Sequence, residues 1–230
     1  MKYILTKKPK NPIIIEGFPG LGLVSTIAIK FLIDHLDVEE IGHIESGRIQ
    51  PLTAIHKSRI INPITFFYNK KFNLIIVQSL TDVAGYEWEL ASTMMELART
   101  VGAKEIVVLD SMPSHEEDLN VYYFSNKNKL KLKELKEGIV IGTTAALLLE
   151  SKGIPVTCLF AEAHSQLPDS EAAARVVDAL NAYMGLKVDY KPLLEAAKKF
   201  EISLRQYLDK AKQVTQNKTD KTIRELGYIG

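Results

Sequence analysis

The segment Glu16-Gly17-Phe18-Pro19-Gly20-Leu21-Gly22-Leu23-Val24-Ser25-Thr26 carries the clearest chemical pattern in the chain. Its glycines follow the apolar run Ile13-Ile14-Ile15 and precede a helical pattern. Phosphate-binding loops occupy that position, because the free N–H groups of a helix start attract anions. A Walker-type loop is excluded: Gly17 and Gly22 have the right separation, but Leu23 stands where the lysine is required. The dinucleotide fingerprint fits Gly20-Leu21-Gly22-Leu23-Val24-Ser25 except that serine replaces the third glycine. Its acidic partner is expected about 25 residues on, where Glu45 stands. Gly17, Gly20 and Gly22 therefore read as a ligand loop for a nucleoside or nucleotide, or as a tight turn that lets a helix sit close on a sheet.

Other strand ends supply polar groups that could converge on the same cleft: Gln78, Thr81 and Asp82; Asp110, Ser111 and His115; Glu162, His164 and Gln166. No pair has metal-ligand spacing on an expected helix, and no Gly-x-Ser-x-Gly elbow presents a nucleophile. No nucleophile, base and oxyanion stabiliser are named together, so catalytic residues, cofactor and metal are all expected to be absent. His115-Glu116-Glu117-Asp118 reads as a solvated loop, and His35, His43 and His56 as structural residues. Trp88 beside Tyr86 suits either an exposed anchor or helix packing.

These residues need elements to hold them. Ile13–Ile15, Val38–Ile44, Leu52–His56, Ile64–Phe67, Leu74–Val77, Ile106–Leu109, Val121–Phe124, Ile139–Ile141 and Pro155–Phe160 read as strands, some closely enough spaced to be antiparallel neighbours. Helices are expected over Leu23–His35, Tyr86–Val101, Thr144–Ser151 and from a cap at Asp169 or Ser170 to Met184. Leu90, Met94, Leu97, Ala98 and Val101 share one face of the second, and Gly102 ends it. Strands alternating with helices imply a three-layer α/β/α domain with a mixed sheet, over residues 1–188.

The chain has 230 residues, 29 Lys plus Arg against 28 Asp plus Glu, and a net charge of +1, which argues against nucleic-acid or membrane-surface binding. Its one basic run, Lys127 to Lys133, lacks the interleaved aromatics that stack on bases. The single cysteine, Cys158, lies in an apolar run and reads as a buried thiol in a reducing compartment. Neither a signal-peptide core nor a membrane-spanning run is present, so the protein is expected to be cytoplasmic.

Beyond the α/β domain, Leu193, Ala197, Phe200, Leu204, Tyr207, Ala211 and Val214 recur at alternating spacings of four and three. Residues 189–212 thus form an amphipathic helix that packs on its own domain or, through Leu193, Phe200, Leu204 and Tyr207, on another subunit. Residues 213–230 are expected to be a mobile tail. A polar tether, Gln213 to Lys221, reaches roughly 30 Å when extended, and apolar residues return at Ile223, Leu226, Tyr228 and Ile229.

The glycine segment resembles the N-terminal signature of the PAC2 family of proteasome-assembly chaperones, with Ser25 in place of a frequent glycine. Gly142-Thr143-Thr144-Ala145-Ala146-Leu147-Leu148, the stretch from Gly153-Ile154-Pro155 to Glu162, and Pro168-Asp169 with Ala172-Ala173-Ala174 support it over residues 10–185. The resemblance implies an archaeal, homo-oligomeric, non-enzymatic chaperone with a fold like that of nucleoside phosphorylases. It further implies contact with α subunits of the 20S proteasome through a C-terminal hydrophobic–tyrosine–any-residue motif. Leu226, Tyr228, Ile229 and Gly230 would make that contact, although Tyr228 is third from the end and Gly227 precedes it.

Overall fold

The computed structural model describes residues 1–196 other than 50, 57, 115–118 and 165–166. In chain order the strands are β1 (Lys2–Leu5), β2 (Ile13–Gly17), β3 (Glu39–Glu45), β4 (Ala54–His56), β5 (Arg59–Ile61), β6 (Ile64–Asn69), β7 (Leu74–Ser79), β8 (Glu105–Pro113), β9 (Val121–Ser125), β10 (Lys133–Glu134) and β11 (Val156–Ala163). The helices are α1 (Val24–His35), α2 (Glu87–Val101), α3 (Gly142–Glu150) and α4 (Ser170–Met184). Among the described residues, nine strands form one mixed sheet in the order β1-β3-β6-β7-β2-β8-β11-β9-β10, and β4 pairs with β5 in a separate ribbon.

The centre of the sheet, β7-β2-β8-β11, is parallel. Its strands are apolar almost throughout because helices cover both faces. Successive residues point to opposite sides of a strand. Ile15, Ile76, Val107 and Leu159 accordingly pack under α1 and α4, while Ile14, Ile75, Val108 and Cys158 pack under α2 and α3. The three-layer α/β/α expectation therefore holds, antiparallel neighbours included: β6 runs antiparallel to β7, and β3 to β6.

Helix ends follow local chemistry. Gly102 takes the left-handed conformation (φ 62°, ψ 41°) that closes α2. Asp169 caps α4 by accepting a hydrogen bond from the Ala172 N–H at 2.9 Å, and its own N–H donates to the Gly22 carbonyl at 2.8 Å. The start of α4 thus holds the glycine loop. At its other end the loop is governed by Gly17, where a Cβ would lie 2.7 Å from Ser25 Cβ and 3.2 Å from Ile29 Cγ1. Only glycine lets α1 lie this close to β2.

Some expectations change. Ile139–Ile141 is not a strand but an irregular strap leading into α3, with Ile139 94% and Ile141 78% exposed. The free edge of β9 that it would have needed is taken by Lys133–Glu134. Strands β1, β5 and β10 were not anticipated, and β8 continues to Pro113. Trp88 is exposed at the start of α2. His35 stacks on Phe31 with ring centroids 3.8 Å apart, and His43 is partly buried on β3. Residues 191–196 are helical, and Leu193 is buried with Leu186 and Val188 in the core under α1 and α4. Phe200, Leu204, Tyr207 and the segment 213–230 lie outside the described residues, as do His115 and Gln166. No helix among the described residues is long and apolar enough to cross a membrane.

The contact at Gly17 yields a test. Gly17→Ala forces either α1 or the end of β2 to move, and overpacking of this kind costs about 1–3 kcal/mol. The thermal midpoint is expected to fall by several degrees, since about 1 kcal/mol shifts a chain of this size by about 2–4 °C. A midpoint unchanged in Gly17→Ala would remove close packing as the reason for that glycine.

Candidate functional site

A cleft of 620 Å³ opens at the C-terminal ends of β2 and β8. From β2 the chain turns toward the β7 side of the sheet, and from β8 toward the β11 side. The crevice between two such strands is where open α/β sheets bind ligands. Its walls are the loop Phe18–Leu21, the end of β8 from Asp110, the strap 135–141, the first turn of α3, and Asp82, Val83 and Glu87 at the approach to α2.

Side-chain hydrogen bonds hold the walls in place. The Ser111 hydroxyl donates to the Leu21 carbonyl at 2.8 Å, and the Ser25 hydroxyl donates to the Phe18 carbonyl at 2.6 Å. Gly20 sits opposite Asp110: a Cβ on it would lie 3.7 Å from Asp110 Oδ1. Asp110 Oδ1 accepts from the Ser111 N–H at 2.7 Å, and Oδ2 accepts from the Thr144 hydroxyl at 2.6 Å. Asp82 Oδ1 accepts from the N–H groups of Val83 at 2.7 Å and Ala84 at 3.1 Å, fixing the turn before α2.

Beneath Asp110 lies Glu16. In register it pairs with Val108, two residues before Asp110, so both carboxylates project toward the α2 and α3 layer. Glu16 is 1% exposed, and neither of its carboxylate oxygens meets a hydrogen-bond partner. Burial, and then the neighbouring Asp110, push its carboxyl well above the ordinary glutamate range. Burial also raises Asp110, and the hydrogen bonds from Thr144 and Ser111 offset this only in part. The Cys158 thiol nearby is raised well above its usual value, by burial first and then by Glu16 and Asp110, and is correspondingly unreactive. The contrast is Glu105, also buried, which accepts from Tyr183 OH at 2.8 Å to Oε2 and from Asn128 Nδ2 at 2.8 Å and the Thr157 hydroxyl to Oε1.

Four carboxylates line the cleft, those of Asp82, Glu87, Asp110 and Glu137; among the described lining residues there is no lysine, arginine or histidine. Such a site repels phosphate. Glu45 does not complete a dinucleotide site either, because its strand β3 is separated from β2 by β6 and β7. Of the expected site residues, Gly20, Asp82, Asp110 and Ser111 come together, whereas Gly17 and Gly22 serve packing beside the cleft. Gln78 and Thr81 are buried. Glu162 is engaged with Asn120, and the His164 N–H donates to Asp169. Glu16, Glu137 and Thr144 were missed as site residues. For Glu16 a signal existed, an acidic residue closing a run of isoleucines.

The model of the PAC2 family matches residues 14–208. The chain belongs to the PAC2 family. It is 29% identical over 220 residues to an uncharacterised protein of Methanocaldococcus jannaschii, with 90% of each chain covered. Among solved structures it resembles Pyrococcus furiosus PbaA, an archaeal homologue of proteasome-assembly chaperone, at 28% identity and TM-score 0.85 over 100% of both chains. Pyrococcus furiosus PbaB, an archaeal proteasome activator, shares the fold at 24% identity and TM-score 0.76, with 90% of this chain and 98% of that one covered. These PAC2 likenesses carry the α/β fold; the expected likeness to nucleoside phosphorylases is not among what they establish.

Glu16 makes stability depend on pH. Because its folded pKa is raised, the folded chain keeps a proton that the unfolded chain gives up. Stability from this source is full below the ordinary glutamate pKa and falls as pH rises from there through the raised value. Each unit of upshift is worth about 1.4 kcal/mol. Glu16→Gln mimics the protonated form, so it is expected to raise the midpoint at neutral pH by at least about 2–4 °C and to reduce the loss of stability as pH rises above the ordinary glutamate value of 4.5. Asp110 retains a smaller slope of the same sign. Melting curves of both proteins across that rise in pH provide the check; parallel curves would place the Glu16 carboxylate in water.

Proposed function

We propose that the protein is a non-enzymatic, homo-oligomeric chaperone of the proteasome-assembly type, working in the cytoplasm and contacting α subunits of the 20S proteasome. The observation that carries this reading is the likeness to PbaA, which spans the whole of both chains at 28% identity. At full coverage of both chains and a TM-score of 0.85 the likeness extends beyond a shared sheet.

The docking element in this reading is the segment Leu226-Gly227-Tyr228-Ile229-Gly230. A terminal carboxylate pairs with a cationic side chain while an aromatic ring fills a pocket between subunits. The polar stretch Gln213–Lys221 serves as the tether; Leu193 packs into the chain's own core, and Phe200, Leu204 and Tyr207 further along the repeat reach a neighbouring copy. A nucleotide-binding enzyme is the weaker reading, since the cleft beside Gly20 is lined by carboxylates.

A pull-down on assembled 20S proteasome tests it, comparing the full chain with one ending at Lys221. The full chain is expected to be retained and the truncated chain lost, at least about tenfold, as for removal of a hot-spot contact. Equal retention would move the contact to the globular body and remove the tail from the proposal. No retention of either chain would overturn the proteasome reading.

A further inference from the structure

We propose that the cleft between β2 and β8 is a binding site for an organic cation, an ammonium or guanidinium group carried on an apolar stem. The inference is independent of the chaperone reading and rests on three observations about the cleft.

The first is the sign of its charge. Asp82, Glu87, Asp110 and Glu137 face the same 620 Å³, and the described lining holds no basic residue. The volume lies within the range of small-molecule sites, about 300–1,000 Å³. Helix starts favour anions, but the start of α3 already has a carboxylate beside it, since the Thr144 hydroxyl donates to Asp110 at 2.6 Å.

The second is Glu16. It is a carboxylate 1% exposed and without a hydrogen-bond partner, directed to the side of the sheet on which the cleft opens, one step below Asp110. Glu105 shows how this chain satisfies a buried carboxylate that serves the fold, with donors from several elements. Glu16 has none and holds its proton instead; a cation beside Asp110, one step above it, would bring opposite charge to this pair of carboxyl groups.

The third is the wall. The strap brings Ile139, Val140 and Ile141 to the cleft, and Phe18 and Phe160 line it as well. Ile139 is 94% exposed where it stands. An alkyl stem would cover such side chains, and aromatic rings add attraction for a cation that a neutral ligand does not feel. A bare metal ion is disfavoured, since among the described residues no group of three His, Cys, Asp or Glu side chains is placed to hold one. The preference is therefore for a head that carries both charge and N–H donors, with a stem behind it.

Calorimetric titration of the full chain tests the assignment with hexylammonium, butylguanidinium, the neutral hexan-1-ol, AMP and inorganic phosphate. The two cations are expected to saturate one site per chain, with hexan-1-ol at least about tenfold weaker, the size of one charge-assisted contact. Asp110→Asn is expected to lower cation affinity by about tenfold. Glu137→Gln, on the exposed strap where folding is not at stake, should lower it by about two- to threefold, as for a solvent-screened charge. A further arm uses Nα-acetyl-lysine amide: tighter binding than hexylammonium assigns the cation to a protein side chain, weaker binding assigns it to a free amine, and either supports the site. Equal binding of hexan-1-ol and hexylammonium, tighter binding of AMP or phosphate, or no heat from any cation would overturn it. So would cation binding unchanged in both Asp110→Asn and Glu137→Gln.

Discussion

The burial of β7, β2, β8 and β11 on both faces is the constraint from which the rest follows. Inside such a sheet a side chain has no access to water, so chemistry can surface only where the strands end. The ends are themselves constrained. Helix α1 must cover β2 at once, and it does so by closing on Gly17 and taking the Ser25 hydroxyl to the Phe18 carbonyl. The loop thrown outward by that closure is then held by Ser111 from the neighbouring strand. The cleft is thus a consequence of packing a helix tightly on a covered strand.

Within the covered region the two buried carboxylates separate structural from unexplained polarity. Glu105 on β8 is met by Tyr183 of α4, Thr157 of β11 and Asn128 of the β9–β10 connection, and its charge joins those elements. Burial first, and then the hydrogen bond to Glu105 and its proximity, push the Tyr183 hydroxyl up to about 12, while Thr157 and Asn128 pull it down in part. Glu16 joins nothing. An apolar side chain would fill its place at lower cost, so stability does not account for a carboxylate there. A strongly shifted group set beside a cleft is a mark of sites that bind or react.

Much of the architecture was legible because local rules and tertiary packing agree. The limits of α2 follow from Gly102, and those of α4 from the Asp169 cap, both readable as residue types. The central strands stood out as short apolar runs. Edge strands did not: β10 is Lys133–Glu134, and short charged pieces of this kind are how a sheet edge avoids unwanted pairing. Ile139–Ile141 misled for the converse reason. Three β-branched residues satisfy strand propensity, yet a strand also needs a free edge, and the sequence does not reveal which edge is taken. Strand order hid the fate of Glu45 in the same way. Asp110 and Ser111 could be placed at a strand end, but their union with Thr144 required knowing that α3 returns to that strand end.

The glycine loop shows why a motif has to be read together with its field. Its spacing resembles that of loops that cradle phosphate, and it lies at the point of the sheet where such loops lie. Glycine supplies close approach and free conformation, which serve a ligand and a packed helix equally well. The sign of the surrounding charge decides between the two. At an effective dielectric near 20, an anion about 4 Å from a carboxylate is repelled by about 4 kcal/mol, and four carboxylates border this cleft. The start of α3, which could offset part of that repulsion, also brings the Thr144 hydroxyl to Asp110 and so holds one of those carboxylates in the cleft wall. The loop that reads as a phosphate cradle in sequence therefore stands, once folded, at the edge of a site for positive charge.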